Sequence, residues 1–468
     1  MKFKFSNLGP IDDAKLELAK LTVICGRNNT GKTYVTYSVF AFLATWRQLF
    51  DWQVSAKDLG VLGIDGAVSV DMQAQFVDQW QSLQTQASEN WKQSLPRALG
   101  APAERFKDTQ LLFDLTLDDA WIHAEHKTEF RSEQGKVFLT VDKAKDSTVV
   151  QVVALNDDAQ KHFPSFLISD FVTQALLEAV LTPYLPPVFM VSTERTGVVI
   201  FKDELNLTKN KIVNLLATMD THNRELHPGQ LFDAIYKGGY PLPVENNVQF
   251  VNRLGSLENQ SSNLLKKHPE LVATFEAIAG GKYETNKEGM TQFAPHGSKT
   301  KLRLGEASSA VRSLVVLWYW LKAQADVGHM LLIDEPELNL HPENQRAFAR
   351  FLVKLVNIGV RVFITTHSDT MLREFNTLIM LARDLPHTRQ VREQFGYGPD
   401  EHLAPNDIAL YVANGKPISA TTGKAKRGSM ATLERIQADE KWGLDAKIFD
   451  DTIVEMGHVQ DALRYGVA

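Results

Sequence analysis

The stretch Gly26-Arg-Asn-Asn-Thr-Gly-Lys-Thr33 decides the fold, because it has the spacing Gly-x-x-x-x-Gly-Lys-Thr of a phosphate-binding loop. The apolar run Leu21–Cys25 precedes it, and the helix-like segment Tyr34–Leu49 follows it. Strand, glycine loop and helix in this order allow backbone N–H groups and a helix N-terminus to surround a triphosphate. Taken alone, the motif leaves a glycine-rich turn without a ligand as the alternative.

The residue types in this loop predict separate tasks. Lys32 would place its ammonium group on the β- and γ-phosphates, and Thr33 would offer its hydroxyl to Mg²⁺. The cofactors that we expect are therefore ATP and Mg²⁺. The candidate ATP-binding residues of the loop are Gly26, Arg27, Asn28, Asn29, Thr30, Gly31, Lys32 and Thr33.

Acidic residues follow a second apolar run, some three hundred residues later. Met330-Leu-Leu-Ile333 is typical of a buried strand, and Asp334-Glu335-Pro336-Glu337 comes directly after it. The carboxyl ends of parallel strands are where ligands bind in open α/β sheets. We expect Asp334 to hold Mg²⁺, directly or through water, and Glu335 to orient or deprotonate the attacking water. The alternative is a strand followed by the acidic first turn of a helix.

A third strand-like run, Arg361–Thr365, is followed by Thr366-His367-Ser368-Asp369. If this strand ends at the same edge as Asp334, His367 is in a position to sense the γ-phosphate. A histidine that merely satisfies hydrogen bonds in a loop is the alternative interpretation.

The order of these three motifs resembles that of ABC-type ATPases of the SMC and OLD (overcoming lysogenization defect) kind. In such proteins two nucleotide-binding domains sandwich two ATP molecules, and a Ser/Gly signature from one protomer completes the site of the other. Gly305-Glu-Ala-Ser-Ser-Ala-Val-Arg312 resembles that signature, with Ala310 where the family usually has glycine. The resemblance thus implies Ser308 and Ser309 as ATP-binding residues, and a homo-oligomer that is at least a dimer and is expected to be larger.

The same resemblance implies an α/β fold: an ABC-type P-loop ATPase head with an antiparallel β-subdomain, a helical insertion and a mixed C-terminal region. The expected organisation is an N-terminal ATPase lobe with P-loop, helical segment and β-subdomain (1–200), a helix-rich insertion (201–280), a second ATPase lobe with signature, Walker B and His-switch (281–375), and a C-terminal α/β region that serves as an assembly or partner surface (376–468).

Local patterns add further expectations. Residues 34–107 are predicted to be mostly helical, with four tryptophans that serve as packing anchors, and residues 110–155 to form antiparallel strands, Trp121–His123 among them. The segment Ser192–Gly197 resembles a strand end of relatives. There Arg195 would contact phosphate or a partner protomer, or else pair internally with Glu194.

Composition indicates a cytoplasmic protein. The chain has 468 residues, of which 44% are hydrophobic, and a single cysteine, Cys25, so an intramolecular disulfide is excluded. No apolar stretch approaches the roughly eighteen residues that span a bilayer, so we expect no membrane segment. The formal net charge of −6 supplies no general attraction to nucleic acid. The basic stretches Lys299–Arg303 and Lys424–Arg427 are interpreted as solvated loops, with local DNA contact as the alternative.

The region after His367 lacks nuclease motifs. OLD nucleases continue with a TOPRIM domain, yet Asp450 and Asp451 are adjacent where that domain has Asp-x-Asp, and Glu455 lies on a predicted helix. We therefore expect a nuclease effector on a separate chain. The resemblance is nearest to the ATPase of the PARIS anti-phage system and next to that of Septu. It implies a sensor and scaffold that hydrolyses ATP, holds a toxic nuclease and releases or activates it on infection, with a phage-derived protein as the candidate trigger. The alternative is a DNA-repair or chromosome-associated SMC-like ATPase that clamps nucleic acid.

Overall fold

A nine-stranded mixed sheet is built around the strand that leads into the glycine loop. The computed structural model describes residues 1–131, 135–154, 165–202, 204, 240–416, 430–444, 458–460 and 462. The predictions for Lys424–Arg427, Asp450, Asp451, Glu455 and the larger part of residues 202–239 lie outside these ranges.

The strands are β1 Lys2–Leu8, β2 Ile11–Glu17, β3 Leu21–Gly26, β4 Ala67–Asp71, β5 Gln110–Asp114, β6 His126–Arg131, β7 Val137–Lys143, β8 Val149–Ala154, β9 Val188–Val191, β10 Gly281–Thr285, β11 Thr291–Pro295, β12 Leu302–Arg303, β13 Met330–Asp334, β14 Arg361–Thr366, β15 Ile408–Lys416, β16 Met430–Ile436, β17 Ala438–Asp439 and β18 Gly443–Leu444. The α-helices are α1 Lys32–Thr45, α2 Ala56–Asp65, α3 Met72–Gln75, α4 Trp80–Leu99, α5 Ala120–His123, α6 Ser165–Leu181, α7 Arg195–Ile200, α8 Leu242–Val251, α9 Leu254–Leu257, α10 Asn263–Lys267, α11 Glu270–Ala279, α12 Ser309–Ala323, α13 Pro342–Asn357, α14 Asp369–Met380 and α15 Pro386–Phe395.

The main sheet has the strand order β5-β1-β2-β16-β15-β3-β14-β13-β9. The five strands from β15 to β9 run parallel, whereas β5, β1 and β2 form an antiparallel edge. All five residues of β13 are buried, as expected for a parallel strand that is covered on both faces. The α/β fold expected from the sequence is the fold that the structure has.

Two hydrophobic cores cover the two faces of this sheet. Along β3, Leu21, Val23 and Cys25 belong to one core, whereas Ile24 belongs to the other. This alternation follows from the two-residue repeat of a strand. Cys25 is buried, with 3% of the residue exposed.

The antiparallel β-subdomain is a four-stranded sheet in the order β4-β8-β7-β6. The strands that form this sheet differ in part from those predicted from the sequence. Trp121–His123 was predicted as a strand, but these residues lie in the single helical turn α5, so that prediction is wrong. Strand β4 lies within the segment 34–107 that was predicted to be mostly helical, and β5 pairs with β1 in the main sheet. Sequence periodicity identifies extended segments but not their partners.

Two strands of the described C-terminal region, β15 and β16, belong to the main sheet. Strand β15 pairs in parallel with β3, and β16 pairs antiparallel with β15. The apolar run Ile408–Val412 thus forms the first part of β15, which extends to Lys416 directly beside the strand of the glycine loop. In the described part of the insertion, residues 242–279 form the four helices α8 to α11.

The four tryptophans of residues 34–107 are core residues, which confirms their predicted role as packing anchors. Trp91 is fully buried, and its ring lies 5.1 Å from that of Phe42 and 5.4 Å from that of Phe3. Its indole Nε1 donates to the Ser38 carbonyl at 2.9 Å. Trp91 therefore joins helix α4, helix α1 and strand β1.

Trp91→Ala should lower the free energy of unfolding by about 3–5 kcal/mol, because the cavity and the lost aromatic contacts act together. Urea denaturation measures this. Trp442→Ala is the matched control, since 72% of Trp442 is exposed, and its effect should stay within about 0.5 kcal/mol. Equal losses for the two variants would contradict the role assigned to Trp91.

Candidate functional site

The three sequence motifs meet at one edge because their strands are parallel neighbours. In the sheet, Thr366 of β14 pairs with Cys25 of β3, and Asp334 of β13 pairs with Thr365 of β14. The carboxyl ends of the three strands therefore lie at nearly the same level. The structure brings together the glycine loop, the acidic pair after β13 and the histidine after β14.

The glycines of the loop are required by its geometry. Gly26 has a φ of 137° and Gly31 a φ of 88°, in the region that side chains disfavour. A Cβ atom at Gly26 would lie 2.6 Å from the carbonyl oxygen of Ala413, and one at Gly31 would lie 2.9 Å from the Ile11 side chain. The Thr30 hydroxyl closes the turn by donating to the Arg27 carbonyl at 2.8 Å. The backbone conformation is that of a tight loop that opens directly into helix α1.

Lys32 is a buried cation inside this loop. Only 6% of the residue is exposed, and its Nζ donates to the carbonyls of Gly26 at 3.1 Å and Arg27 at 2.8 Å. Burial lowers the pKa of Lys32, and the negative charges of Glu335 and Asp334 act against that change. The ammonium group is thus fixed between the loop and the acidic strand end.

Two threonines hold the carboxylate of Asp334. The Thr33 hydroxyl donates to Asp334 Oδ2 at 3.3 Å, and the Thr365 hydroxyl donates to Asp334 Oδ1. Burial raises the pKa of Asp334 to about 6, although the Thr365 hydrogen bond opposes the change. A hydroxyl and a carboxylate that converge in this way are oxygen donors of the kind that Mg²⁺ prefers. These two side chains fit the metal that the sequence predicts here.

Glu335 and His367 face each other across the site. Their side chains approach to 3.5 Å between His367 Nε2 and Glu335 Oε1. The φ of Glu335 is 51°, a left-handed conformation that is uncommon for any residue other than glycine. Burial is the main cause that lowers the pKa of His367, and the charge of Lys32 lowers it further. The lowered pKa favours the neutral imidazole, which has one N–H to donate.

The alternative considered for Asp334–Glu337, an acidic first turn of a helix directly after the strand, is not what the structure has. The first helix after β13 is α13, which begins at Pro342 with His341 as its N-cap. The side chain of Glu337 instead accepts a hydrogen bond from the backbone N–H of His367 at 2.6 Å. It ties the segment after β13 to the segment after β14.

A cavity of about 380 Å³ opens at this edge of the sheet. Its lining combines the loop with the two facing side chains and consists of Pro10, Asn28, Asn29, Thr30, Gly31, Lys32, Thr33, Tyr34, Glu335 and His367. A second cavity of about 350 Å³ lies between α1 and α4, but no glycine loop or strand end contributes to it. We therefore place the candidate nucleotide site in the first cavity.

Ser308 and Ser309 lie apart from this cavity. Both are exposed at the start of helix α12, and the Ser308 hydroxyl accepts a hydrogen bond from the backbone N–H of Val311 at 3.3 Å. Within the described ranges, neither serine is among the residues that line the cavity. Gly26 and Arg27 also lie outside the lining, although Lys32 binds their carbonyls.

Sequence reasoning missed the contacts that three residues make at the site. Thr365 and Glu337 belong to motifs that were recognised, but their contacts depend on the pairing of β13 with β14. Arg195 was considered as a contact to phosphate or a partner protomer, or as an ion-pair partner of Glu194. Its guanidinium donates to the carbonyls of Asp334 and Glu335, whereas Glu194 accepts a hydrogen bond from the Tyr37 hydroxyl at 3.2 Å.

The described residues were also considered for metal-binding clusters and membrane-spanning helices. They contain no group of three or more His, Cys, Asp or Glu side chains that could hold a metal ion by themselves. In the same part of the chain, every helix is too short or too polar to cross a membrane.

The raised pKa of Asp334 gives a pH-dependent stability. Because the pKa is higher in the folded than in the unfolded chain, folding takes up a proton between about pH 4 and 6. The charged carboxylate therefore lowers stability above that window, and the loss disappears as the pH falls through it. In EDTA without nucleotide, Asp334→Asn should raise the free energy of unfolding by up to about 3 kcal/mol at about pH 7.5.

Urea denaturation across this pH range tests the expectation. The gain of Asp334→Asn over wild type should shrink towards zero near about pH 4. Asp108→Asn, at an exposed turn, is the control and should follow wild type throughout. An Asp334→Asn protein that is less stable than wild type at neutral pH would show that burial does not penalise this carboxylate.

Comparisons with known proteins agree with part of this description. Residues 203–372 match a family described as an AAA ATPase domain. The match includes Asp334, Glu335 and His367 but not the glycine loop. A search of curated proteins gives no match.

Solved structures with similarity over most of the chain include heads of SMC proteins. One is an SMC head bound to the C-winged helix domain of ScpA, with 12% identity, a TM-score of 0.32 and coverage of 94% of this chain and 98% of that one. The SMC head domain from Thermotoga maritima has 8% identity and a TM-score of 0.30, with 93% and 98% coverage. An SMC head from Pyrococcus furiosus has 11% identity and a TM-score of 0.33, with 99% and 98% coverage.

Such low TM-scores support no inference about function. What can be said of the chain therefore depends on the family match and on the geometry of the site. The chain is similar to AAA ATPase domains over residues 203–372, and it has an α/β fold with the glycine loop at the carboxyl end of one of its parallel strands.

Proposed function

We propose that this protein binds and hydrolyses ATP at the cavity between the glycine loop and the ends of β13 and β14. The observation that carries the proposal is the convergence of Lys32, Thr33, Asp334, Glu335 and His367 at one sheet edge, from segments some three hundred residues apart. A glycine-rich turn without a ligand does not call for a buried lysine beside two strand-end carboxylates.

Each side chain has a task that its position supports. Lys32 and the N–H groups at the start of α1 bind the phosphates, and Thr33 with Asp334 holds Mg²⁺, which neutralises phosphate charge when bound. The Glu335 carboxylate orients the attacking water or takes its proton. His367, as a neutral imidazole, donates a hydrogen bond to the γ-phosphate.

We further propose that two protomers form composite sites. Ser308 and Ser309 are exposed at the N-terminus of the fifteen-residue helix α12 and lie away from their own cavity. A helix N-terminus with exposed hydroxyls that can donate hydrogen bonds is suited to a phosphate of a neighbouring protomer. In a two-fold assembly, the same surface completes both sites at once.

The cellular role that we propose is a sensor and scaffold in anti-phage defence, which holds a separately encoded nuclease effector. Its support is the resemblance of the motifs to PARIS-type ATPases. The alternative, an SMC-like clamp on nucleic acid, has less support: in the described basic stretch Lys299–Arg303, Lys301 pairs with Glu284. The identity of the neighbouring gene discriminates between these two roles, because a toxin-like nuclease favours defence and a repair nuclease favours the clamp on nucleic acid.

Lys32→Ala and Glu335→Gln should separate binding from turnover. Lys32→Ala removes a charged hydrogen bond to phosphate, so ATP affinity should fall about ten- to hundredfold. Glu335→Gln should still bind Mg·ATP, while kcat falls by about two to four orders of magnitude. Calorimetry measures the affinity and phosphate release measures the rate.

Lys301→Ala, which removes an exposed lysine distant in sequence from the three motifs, is the control for binding and should match wild type. Unchanged affinity in Lys32→Ala would overturn the P-loop assignment. A wild-type rate in Glu335→Gln would show that another group acts on the water.

Mixing two inactive variants tests the composite sites. Lys32→Ala protomers lack phosphate binding, and Ser309→Arg protomers block the surface offered to a partner. Each should be inactive alone, whereas a mixed dimer has one intact site and should recover up to about half of the wild-type activity per dimer if one site acts alone. Full activity in an ATP-bound monomer, independent of protein concentration, would exclude this arrangement.

A further inference from the structure

Arg195 is a fully buried cation behind the acidic strand end. It is the first residue of α7 and follows β9, the parallel neighbour of β13 in the main sheet, where Val191 pairs with Ile333. Only 2% of the residue is exposed. A side chain so deeply buried cannot reach nucleotide in the cavity without rearrangement of the strand ends.

The guanidinium of Arg195 binds main-chain carbonyls. Its Nη1 donates to Ser192 at 3.0 Å and to Asp334 at 2.8 Å, and its Nη2 donates to Glu335 at 2.6 Å. Among the described residues, no carboxylate forms an ion pair with it. A planar guanidinium can span two consecutive carbonyls, whereas a lysine ammonium is a point charge that cannot match this geometry.

The backbone of Glu335 is strained, with a φ of 51°, so contacts on both sides are needed to hold this conformation. A left-handed conformation costs about 1–2 kcal/mol for a residue with a side chain. At its other end, the Glu335 N–H donates to the carbonyl of Thr365 at 3.1 Å and also contacts the Thr365 hydroxyl at 3.2 Å. Thr365 and Arg195 thus hold both sides of the same residue.

Charge explains why a cation is tolerated at this depth. Burial lowers the pKa of Arg195 to about 10, and the nearby carboxylates of Asp334, Glu337, Glu335 and Glu194 act in the opposite direction. The guanidinium therefore stays charged at neutral pH, and a charged donor strengthens its hydrogen bonds to the two carbonyls.

We propose that Arg195 is a positioning residue: it clamps the carbonyls of Asp334 and Glu335, and so holds the Glu335 carboxylate towards the phosphate cavity without contacting the nucleotide. This inference depends on the proposed role of Glu335 in hydrolysis. It assigns Arg195 an effect on kcat and none on the binding of ATP.

The experiment compares Arg195→Ala and Arg195→Lys in the full-length protein. The Kd for Mg·ATP should stay within about threefold of wild type, and kcat of Arg195→Ala should fall about ten- to hundredfold, as for a displaced catalytic group. Arg195→Lys should lose less. Added guanidinium ion, below unfolding concentrations, should restore part of the activity of Arg195→Ala and none of that of Glu335→Gln.

A double-mutant cycle adds a readout that a merely structural role would not move. If Arg195 acts through Glu335, Arg195→Ala should reduce kcat by less than about twofold in the Glu335→Gln background. Arg350→Gln is the control for stability, since Arg350 binds the buried Glu374 at 2.7 Å on helices α13 and α14. It should lower the Tm and leave kcat unchanged.

Three results would overturn the inference: wild-type kcat in both folded Arg195 variants, loss of ATP affinity equal to the loss of kcat, or multiplicative losses in the double mutant. Arg195→Lys keeps the charge and most of the side-chain volume, so it serves if the alanine variant does not fold. Failure of the proposed function would give different results. Either the wild-type protein would have no ATPase activity, or Glu335→Gln would hydrolyse ATP at the wild-type rate.

Discussion

The parallel pairing of β3, β14 and β13 is the constraint on which the site depends. Main-chain hydrogen bonds fix the relative level of the three strands, and the side chains that line or face the candidate site lie at these strand ends or in the loop that follows β3. A shift of one residue in either pairing would turn each side chain to the opposite face of the sheet. Shared core residues on both faces of the sheet oppose such a shift.

Burial of charge is the second determinant of the site. Lys32, Asp334 and Arg195 are all nearly inaccessible, and each is held mainly by hydroxyls or carbonyls instead of an opposite charge in direct contact. Such an arrangement is less stable than an apolar core, and natural proteins retain it where function requires it. These buried charges are thus held in fixed positions, and the free energy of unfolding is lower as a result.

The sequence was sufficient where the determinants are local. A tight glycine loop has a fixed spacing, and buried strands that end in Asp334 or precede His367 are recognisable as apolar runs. Contacts between distant segments have no such pattern. Nothing near Arg195 indicates that its partners are the carbonyls of Asp334 and Glu335, and the run Ile408–Val412 does not indicate that it pairs with β3. The contact of Thr365 could have been predicted in principle. Once β13 is paired with β14, Thr365 follows as the in-register neighbour of Asp334.

The position of β3 also has a consequence for synthesis of the chain. Its two neighbours in the sheet, β14 and β15, lie more than three hundred residues further along, so the strand of the glycine loop leaves the ribosome long before either neighbour exists. Loop closure over such distances is slow, and unpaired strands are prone to aggregation meanwhile. The stage at which only the N-terminal part of the chain has been made is therefore when a chaperone has the most to protect, and the candidate nucleotide cavity is among the last features to form.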